Sequence, residues 1–311
     1  MNELVLAPRA ELESFAGDVV RSFLAGRSPN TLRAYARDLE DFKRWVGAAT
    51  VGSAADGLLH MAHGAANAYA LAYRADLLER HLSAATVNRR LAALRSLVKV
   101  GRTLGLVPWE LEVENLEAEP YRDTRGPGVD GFRRMLAAVE GTGLKARRDR
   151  ALLRLLFDLA LRRSEVVGLD LEDLDLGAGT VAVLGKGRTG KEIRTLPRPT
   201  ADALRSYLEV RGLEPGALFW NVSRVHGRAR LTSHGLAKVV CRIGEAAGLG
   251  HVRPHGLRHA AITQALDATK GDVRAVQKFS RHRDLRVLNV YDDNRTDLAG
   301  KVAELVASSA L

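Results

Sequence analysis

The sequence predicts a mostly α-helical protein of two domains, the second of which also contains a small antiparallel β-sheet. Three observations support this fold class. Apolar residues recur at three- and four-residue spacing through most of the chain. Residues 174–199 change to an alternating pattern broken by glycines. Residues 112–128 show no helical periodicity and are rich in proline and glycine, which is typical of a linker. We therefore predict a helical domain over 1–112, a linker over 113–128 and a second domain over 129–311.

The first domain is predicted to be a four-helix unit. "SPNTLRAYARDLEDFKRWV" places Ser28 as the N-cap and Pro29 at the first helical position, and an apolar stripe follows. "SAATVNRRLAALRSLVKVGRTLG" starts a second long helix with Ser83 as its cap. Weaker helical patterns over about 11–25 and 65–81 complete the unit.

The second domain is predicted to be α+β. Val181 and Val183 alternate with less apolar neighbours, and a glycine-rich turn follows over 185–190. These features predict the antiparallel sheet. Helical patterns cover 131–140 and 145–161, and resume over 200–211, 232–247, 255–267, 272–279, 284–291 and 295–308.

Composition favours a polyanionic partner. The 311 residues include 47 Lys and Arg against 37 Asp and Glu, a net charge of +10. Nucleic acid is the commonest partner for such an excess, although a generally basic protein would show it too. Cys241 is the only cysteine, so we expect no intrachain disulfide, no cysteine zinc cluster and a small core residue at this position. No secretory signal or membrane-spanning run is present, so we expect a cytoplasmic protein that does not contact membrane.

The stretch "RPHGLRHAAI" contains the first candidate site residues. On a helix, His255 and Arg258 lie on one face, where a guanidinium and an imidazole suit a phosphate group. His255 and His259 have the spacing of a zinc motif, but position 256 is glycine rather than the required glutamate. We therefore expect no metal.

Further candidates follow a fixed order along the chain. "LALRRSEVVGL" contains Arg162, "VLGKGRTGK" contains Lys186 and "FSRHRDLRVLNVYDDN" contains His282 and Tyr291. Together with His255 and Arg258, this ordered set resembles the tyrosine recombinase, or phage integrase, family. The resemblance extends to the helical first domain, through "NTLRAYARDLEDF" and "SAATVNRRLAALRSLV".

The resemblance implies a role for each residue. Tyr291 would attack a DNA phosphodiester and form a 3′-phosphotyrosyl link, while Arg162 and Arg258 would bind the non-bridging oxygens. Lys186 would protonate the leaving 5′-oxygen. His255 would take part in proton transfer, and His282 would hydrogen-bond the phosphate. The chemistry requires such groups, because a phenol with a pKa near 10 is a poor nucleophile and the transferring phosphoryl group gathers negative charge. The covalent link conserves the phosphodiester energy, so we expect no cofactor, neither ATP nor Mg²⁺.

Two residue assignments have rivals, and two positions depart from the family pattern. Arg163 competes with Arg162, and Lys191 competes with Lys186. Ala160 and Arg281 stand where the family usually has glycine. The polar "YDDNR" after the tyrosine differs from the Thr-His typical of chromosome-resolving Xer members, so a mobile-element integrase is equally open.

The first domain is predicted to contact double-stranded DNA through one helix. The polar and basic residues proposed for this contact are Thr86, Asn88, Arg89, Arg90 and Arg95. One active tyrosine per cleaved strand implies a homo-tetramer on two duplexes at the nucleoid, with a partner recombinase or an accessory DNA-bending protein as further candidate partners. The amphipathic segment 296–311 is predicted to dock on a neighbouring protomer.

Two other functions are weighed against recombination. A type IB topoisomerase shares the cleavage chemistry, but the helical first domain argues against it. A catalytically idle DNA-binding protein of the same fold is the second alternative, against which the complete residue set argues.

Overall fold

The chain divides into two compact units, residues 1–119 and 120–311. The computed structural model describes residues 19–20, 22–25, 29–117, 126–185, 187–222, 227–282, 300, 303 and 306–308. The predicted mostly helical fold class with a small antiparallel sheet is confirmed. Among the described helices, none is long and apolar enough to cross a membrane.

The first unit contains four complete described helices and a further helical stretch before them. The helices are α1 (Pro29–Val46), α2 (Val51–Leu59), α3 (His63–Glu79) and α4 (Ala84–Thr103), and residues 19–20 and 22–24 are also helical. The predicted pattern did not include α2. It has only nine residues, two of them glycine, and its start is marked by Thr50, which forms a capping box with Ser53.

The core of the first unit is fixed by aromatic packing and by buried ion pairs. Phe42 of α1 packs edge-on against Tyr73 of α3, with ring centroids 5.2 Å apart. The Tyr73 hydroxyl donates to Asp41 at 2.8 Å, and Arg90 of α4 donates to the same carboxylate at 2.5 Å. Because a buried carboxylate must be paired, these bonds fix the faces on which the three helices meet.

The chain that leaves α4 remains packed on the first unit as far as residue 117. Val107, Leu111 and Val113 are buried in its core. Asn88 both donates to the carbonyl oxygen of Leu116 and accepts from its amide, each at 2.8 Å. The predicted linker over 113–128 therefore begins with residues that belong structurally to the first unit.

The second unit is helical around a three-stranded sheet. Its helices are α5 (Gly128–Ala137), α6 (Leu144–Asp158), α7 (Arg163–Val167), α8 (Arg198–Arg211), α9 (Ser233–Ala246), α10 (Pro254–Ala268) and α11 (Val273–Ser280), with a 3₁₀ turn at Leu171–Asp173. The strands are β1 (Leu174–Asp175), β2 (Thr180–Leu184) and β3 (Lys191–Thr195), antiparallel in the order β1-β2-β3.

Helix α6 lies at the centre of the second unit. It is apolar on several faces, and Leu152, Leu153, Leu155 and Leu156 are all inaccessible to solvent. A smaller cluster next to it joins Ala160 to residues of α10 and α11, namely Ala261, Ile262 and Val276. This smaller cluster holds together the three segments that carry the candidate site. The helices predicted over 284–291 and 295–308 lie largely outside the described residues, of which 300, 303 and 306–308 are helical.

The start of α10 is packed tightly against the segment that precedes α5. A Cβ at Gly126 would lie 1.8 Å from the carbonyl oxygen of Gly256 and 2.8 Å from the Cβ of Ala260. Only glycine allows this approach, since the nearest obstacle is backbone.

We predict that Gly126→Ala lowers the free energy of unfolding by about 1–3 kcal/mol, because the backbone of α10 must shift. Urea unfolding of the full chain measures this. Gly57→Ala is the matched control: Gly57 lies in α2, and a Cβ added there would meet no atom within 4 Å. It should stabilise the protein by up to about 1 kcal/mol. Equal stability of Gly126→Ala and wild type would contradict the close packing.

Candidate functional site

Four of the six predicted site residues converge in the second unit. Arg162 precedes α7, His255 and Arg258 lie on α10, and His282 lies two residues beyond the end of α11. Arg258 contacts His282, and the charges of Arg258 and Arg162 act on both histidines. Lys186 and Tyr291 lie outside the described residues. We take the four convergent residues as the candidate site.

Arg258 is buried and its guanidinium is held by two backbone carbonyls. Its Nη1 donates to the carbonyl oxygen of Ala160, and its Nη2 donates to that of Ser280 at 2.5 Å. Nη2 also lies 3.3 Å from Nε2 of His282. The side chain therefore ties α10 to the end of α6 and to the end of α11, and its planar fork is fixed before any substrate arrives.

Arg162 is positioned by Glu165, whose side chain is 1% exposed. The Arg162 amide donates to Glu165 Oε2 at 2.7 Å, and its Nη1 donates to Oε1 at 2.9 Å. The third contact of Arg162 runs from Nη2 to the carbonyl oxygen of Arg281 at 3.4 Å. Arg163, the rival for this role, is exposed on the first turn of α7. The geometry therefore favours Arg162.

The two positions at which the chain lacks the glycine usual in the family, Ala160 and Arg281, both have a left-handed backbone. Ala160 has φ of +46° and Arg281 has φ of +59°. A side chain at such a position costs roughly 1–2 kcal/mol, which gives glycine its advantage there. Each of these turns presents its carbonyl oxygen to an arginine, Ala160 to Arg258 and Arg281 to Arg162. The backbone conformation is thus part of how the two guanidiniums are held.

The hydrogen bonds of His282 define its tautomer. Because Arg258 can only donate, Nε2 of His282 accepts and carries no proton in the neutral ring. Nδ1 then carries the proton and donates to the hydroxyl of Ser280 at 3.0 Å. Burial and the positive charge of Arg258, followed by that of Arg162, lower the pKa of His282 to about 4. The imidazole is neutral at pH 7.

His255 is also held in its neutral form. Solvent reaches its ring, but the surrounding protein atoms still desolvate it, and this lowers its pKa below the usual 6.5. The guanidiniums of Arg258 and Arg162 lower it further. A neutral imidazole near two fixed cations can accept a proton, as a general base must.

The hairpin of β2 and β3 distinguishes the two candidate lysines. Leu184 pairs with Lys191, so β3 begins at Lys191, and Lys186 belongs by sequence to the connection that precedes it. The Lys191 ammonium forms an ion pair with Asp173, and this hydrogen bond raises the pKa of the lysine. Arg194 of β3 donates to the carbonyl oxygen of Phe279 at 3.3 Å, which attaches the sheet to the end of α11. Lys191 is therefore engaged, and its raised pKa makes it a poorer proton donor.

The residues predicted to contact DNA have partners within the first unit. Asn88 holds the backbone of Leu116, and Arg95 donates to the carbonyl oxygen of Val113 at 2.5 Å. Arg89 and Arg90 pair with the buried Asp38 and Asp41. Thr86 forms a side-chain hydrogen bond with Ser83 at 3.0 Å. These residues of α4 therefore all make contacts within the first unit, and the Arg89 side chain, at 44% exposed, is the more open of the two arginines paired with aspartate on this helix.

Within the described residues, one group of side chains has the composition of a metal site. Ligand atoms of Cys241, Glu245 and His251 all lie within 4.8 Å of one another, and His255 and His259 do not belong to the group. The prediction that Cys241 is a core residue is wrong, because the thiol is only partly buried. It hydrogen-bonds to Glu245 at 3.2 Å and to His251 at 2.9 Å.

Comparisons with known proteins agree on one family. Residues 129–297 match the phage integrase family, and residues 23–101 match the N-terminal SAM-like domain of phage integrases. A tyrosine recombinase of Synechocystis sp. (strain ATCC 27184 / PCC 6803 / Kazusa) is 40% identical over 286 residues, which covers 90% of this chain and 91% of the relative. Tyrosine recombinase XerC of Pseudomonas putida (strain W619) is 34% identical over 275 residues, covering 85% of each chain.

Solved structures show the same fold. XerH site-specific recombinase, bound to its palindromic difH substrate, has a TM-score of 0.66 and 20% identity, and covers 96% of this chain and 86% of its own. The Tn1549 transposon integrase, in complex with transposon right end DNA, has a TM-score of 0.67 and 16% identity, with 95% and 99% covered.

The clustered arginines and histidines of the second unit suit a protein that acts on the phosphates of DNA. The chain belongs to the tyrosine recombinase, or phage integrase, family. It is therefore an enzyme of site-specific DNA recombination, and the topoisomerase and idle-binder alternatives are not favoured.

We predict that the lowered pKa of His282 makes stability depend on pH. The unfolded chain binds a proton at this residue near pH 6.5, whereas the folded chain does so only near pH 4. Stability is therefore greatest above pH 6.5 and falls as the pH drops towards 4, by an amount on the order of 2 kcal/mol.

Urea unfolding of wild type and His282→Gln at pH 7 and pH 4.5 measures this effect. The variant should lose less stability than wild type over that interval. An NMR titration of the imidazole provides an independent check. A ring of His282 that titrates near pH 6.5, with the same pH dependence in both proteins, would contradict the prediction.

Proposed function

We propose that the second unit cleaves DNA by attack of Tyr291 on a phosphodiester, forming a 3′-phosphotyrosyl intermediate that a 5′-hydroxyl then resolves. The observation that supports this most is the convergence of Arg162, Arg258 and His282 around one region of the second unit. Two fixed guanidiniums supply what a phosphoryl transfer needs most, positive charge directed at the equatorial oxygens.

Proton transfer in this proposal is divided between a base and an acid. His255, with its lowered pKa, takes part in removing the proton from the phenol of Tyr291. Lys186 protonates the leaving 5′-oxygen from the β2–β3 loop. Lys191 at the base of the same loop is paired with Asp173, which supports Lys186 as the proton donor. His282 completes the set as a hydrogen-bonding partner of the phosphate.

The substrate in this proposal is a double-stranded target site bound by both units. The DNA complexes of XerH and of the Tn1549 integrase support a DNA target, and so does the net charge of +10. In the first unit we propose that α4 faces the DNA. Arg89 would contact phosphate while remaining paired with Asp38, and Asn88 and Arg95 would maintain the structure beneath it. Thr86 and Arg90 complete the proposed surface.

The proposed assembly is a homo-tetramer on two duplexes, which acts on DNA in the cytoplasm. Exchange between duplexes requires one tyrosine for each of four strands, and each protomer offers one. Val306, which lies in a helical stretch near the C-terminus, is 63% exposed. The amphipathic sequence pattern of 296–311, to which Val306 belongs, supports docking of this segment on a neighbouring protomer. A partner recombinase or a DNA-bending protein would act at the same assembly.

We predict that a nicked suicide substrate carrying the target site traps a covalent adduct with wild type and none with Tyr291→Phe. Arg162→Ala should slow adduct formation by about 10²–10³-fold, because one fixed cation at the phosphate is lost. Arg163→Ala is the matched control and should react at close to the wild-type rate. Denaturing gel electrophoresis measures the adduct. Adduct formed by Tyr291→Phe, or equal loss in both arginine variants, would contradict the assignments.

We predict that a change of leaving group distinguishes the role of Lys186 from that of Lys191. Lys186→Ala should slow cleavage of a normal phosphodiester by about 10²–10⁴-fold, as expected for loss of a general acid. A substrate with sulphur at the bridging 5′ position should restore the rate, since a thiolate leaves without a proton. Lys191→Ala should show no such selective rescue. Rescue of Lys191→Ala in place of Lys186→Ala would reverse the assignment.

A further inference from the structure

Arg281 combines two features that are each unfavourable for an arginine. It follows the last residue of α11 in the left-handed conformation, with φ of +59° and ψ of 37°. Its side chain is nevertheless only 4% exposed. Glycine would avoid both the backbone strain and the burial of a charge. Unfavourable features of this kind concentrate at functional sites, so the contacts of this side chain need an explanation.

The contacts of Arg281 are few for a buried guanidinium. Its Nη2 donates to Oε2 of Glu165 at 2.5 Å. Its Nε and Nη1 are buried, and neither has a hydrogen-bond partner within the part of the chain that the structure describes. The ion pair with Glu165 is therefore held by one hydrogen bond and by the attraction of two desolvated charges, not by a two-bond fork.

The hydrogen bond from the Arg281 side chain to Glu165 completes a set of mutual contacts among Arg162, Glu165 and Arg281. Glu165 Oε2 accepts from both Arg281 Nη2 and the amide of Arg162, while Oε1 accepts from Nη1 of Arg162. In return, the carbonyl oxygen of Arg281 accepts from Nη2 of Arg162. Each of the three residues therefore contacts the other two. Displacement of Arg281 would release Glu165 on one side and Arg162 on the other.

The same residue controls where His282 lies. His282 follows Arg281 directly in the chain, and its ring is oriented by Ser280 Oγ at 3.0 Å and by Arg258 at 3.3 Å. These bonds are made only if the backbone turns sharply at residue 281. The Arg281 side chain anchors that turn to Glu165 at the start of α7.

We propose that Arg281 is a positioning residue for DNA cleavage, which fixes the guanidinium of Arg162 through Glu165 and the ring of His282 through its own anchored turn. The proposal rests on the roles that the proposed function gives to Arg162 and His282. It assigns to Arg281 no contact with DNA. The strained and buried arginine lowers stability, and in return it holds two phosphate-binding groups in one arrangement.

The test compares Arg281→Gly with Arg281→Lys. Arg281→Gly removes the anchor and relieves the left-handed strain, so the urea midpoint should equal or exceed that of wild type. Its affinity for a target duplex should stay within about threefold, while single-turnover cleavage of the suicide substrate should fall by at least about tenfold. Arg281→Lys keeps a cation that can make the single bond to Glu165, and should restore cleavage to within about threefold of wild type.

Lys270→Gly is the matched control. Lys270 also has a left-handed backbone, with φ of +53°, but it is exposed beyond the end of α10. This variant should be at least as stable as wild type and should cleave at the wild-type rate. Comparison of Lys270→Gly with Arg281→Gly distinguishes the effect of relieving backbone strain from the effect of losing the hydrogen bond between Arg281 and Glu165.

Two results would overturn the proposal. One is cleavage by Arg281→Gly within about threefold of wild type. The other is a fall in its rate that is matched by a fall in stability and is not restored in Arg281→Lys. Arg162→Ala, assayed in parallel, separates this outcome from failure of the proposed function. If Arg162→Ala cleaves normally, the proposed function fails, whereas slow Arg162→Ala with normal Arg281→Gly removes only the role of Arg281.

Discussion

The site depends on one buried carboxylate, which contacts two of its three guanidiniums. Glu165 is the acidic side chain that contacts Arg162 and Arg281, and Arg258 lies close enough to act on the same histidines. One negative charge cannot balance three positive charges. Several guanidinium nitrogens instead donate to backbone carbonyl oxygens, whose dipoles offset the positive charge only in part. The described site therefore carries an excess of positive charge that a DNA phosphate would neutralise. The fold holds this charge in place before the phosphate arrives, which is the arrangement that electrostatic stabilisation of a phosphoryl transfer requires.

The carbonyl oxygens that hold the guanidiniums come from strained backbone. Ala160 and Arg281 are both left-handed, and each turns its carbonyl oxygen towards an arginine from a different part of the chain. The placement of Arg258 thereby depends on the loop after α6, and that of Arg162 depends on the turn after α11. Arg258 is therefore correctly placed only when the loop after α6 is folded, and Arg162 only when the turn after α11 is folded. This mutual dependence ties the geometry of the site to the folding of the second unit as a whole.

Periodicity predicted the helices and the sheet because both are local patterns, and the order of the site residues along the chain predicted the family. Which distant groups pair could not be read from the sequence. The basic residues on α4 suggested a DNA-reading face, yet Arg90 and Arg95 are occupied by Asp41 and by the backbone of Val113. A charge in a sequence does not reveal whether its partner is solvent, DNA or another helix. Glu165 was visible beside Arg162, but its role depends on Arg281, which lies 116 residues away. The α2 helix was missed for a different reason, since it has only nine residues and two of them are glycine, which disfavours a helix.

The tautomer of His282 links phosphate binding to proton transfer in the proposed reaction. Before DNA binds, Nε2 of the neutral ring accepts from Arg258 and therefore has no proton to donate to a phosphate. A phosphate oxygen would compete for the same Arg258 donor and would add negative charge beside the ring. Burial is the largest cause of the lowered pKa of His282, and the charges of Arg258 and Arg162 come next. Both changes oppose the effect of these two charges. Binding of the phosphate therefore favours protonation of His282, and protonation converts Nε2 from an acceptor into a donor. Burial and, after it, the surplus positive charge of the site keep His282 neutral until the substrate arrives, and the phosphate then offsets the second of these causes.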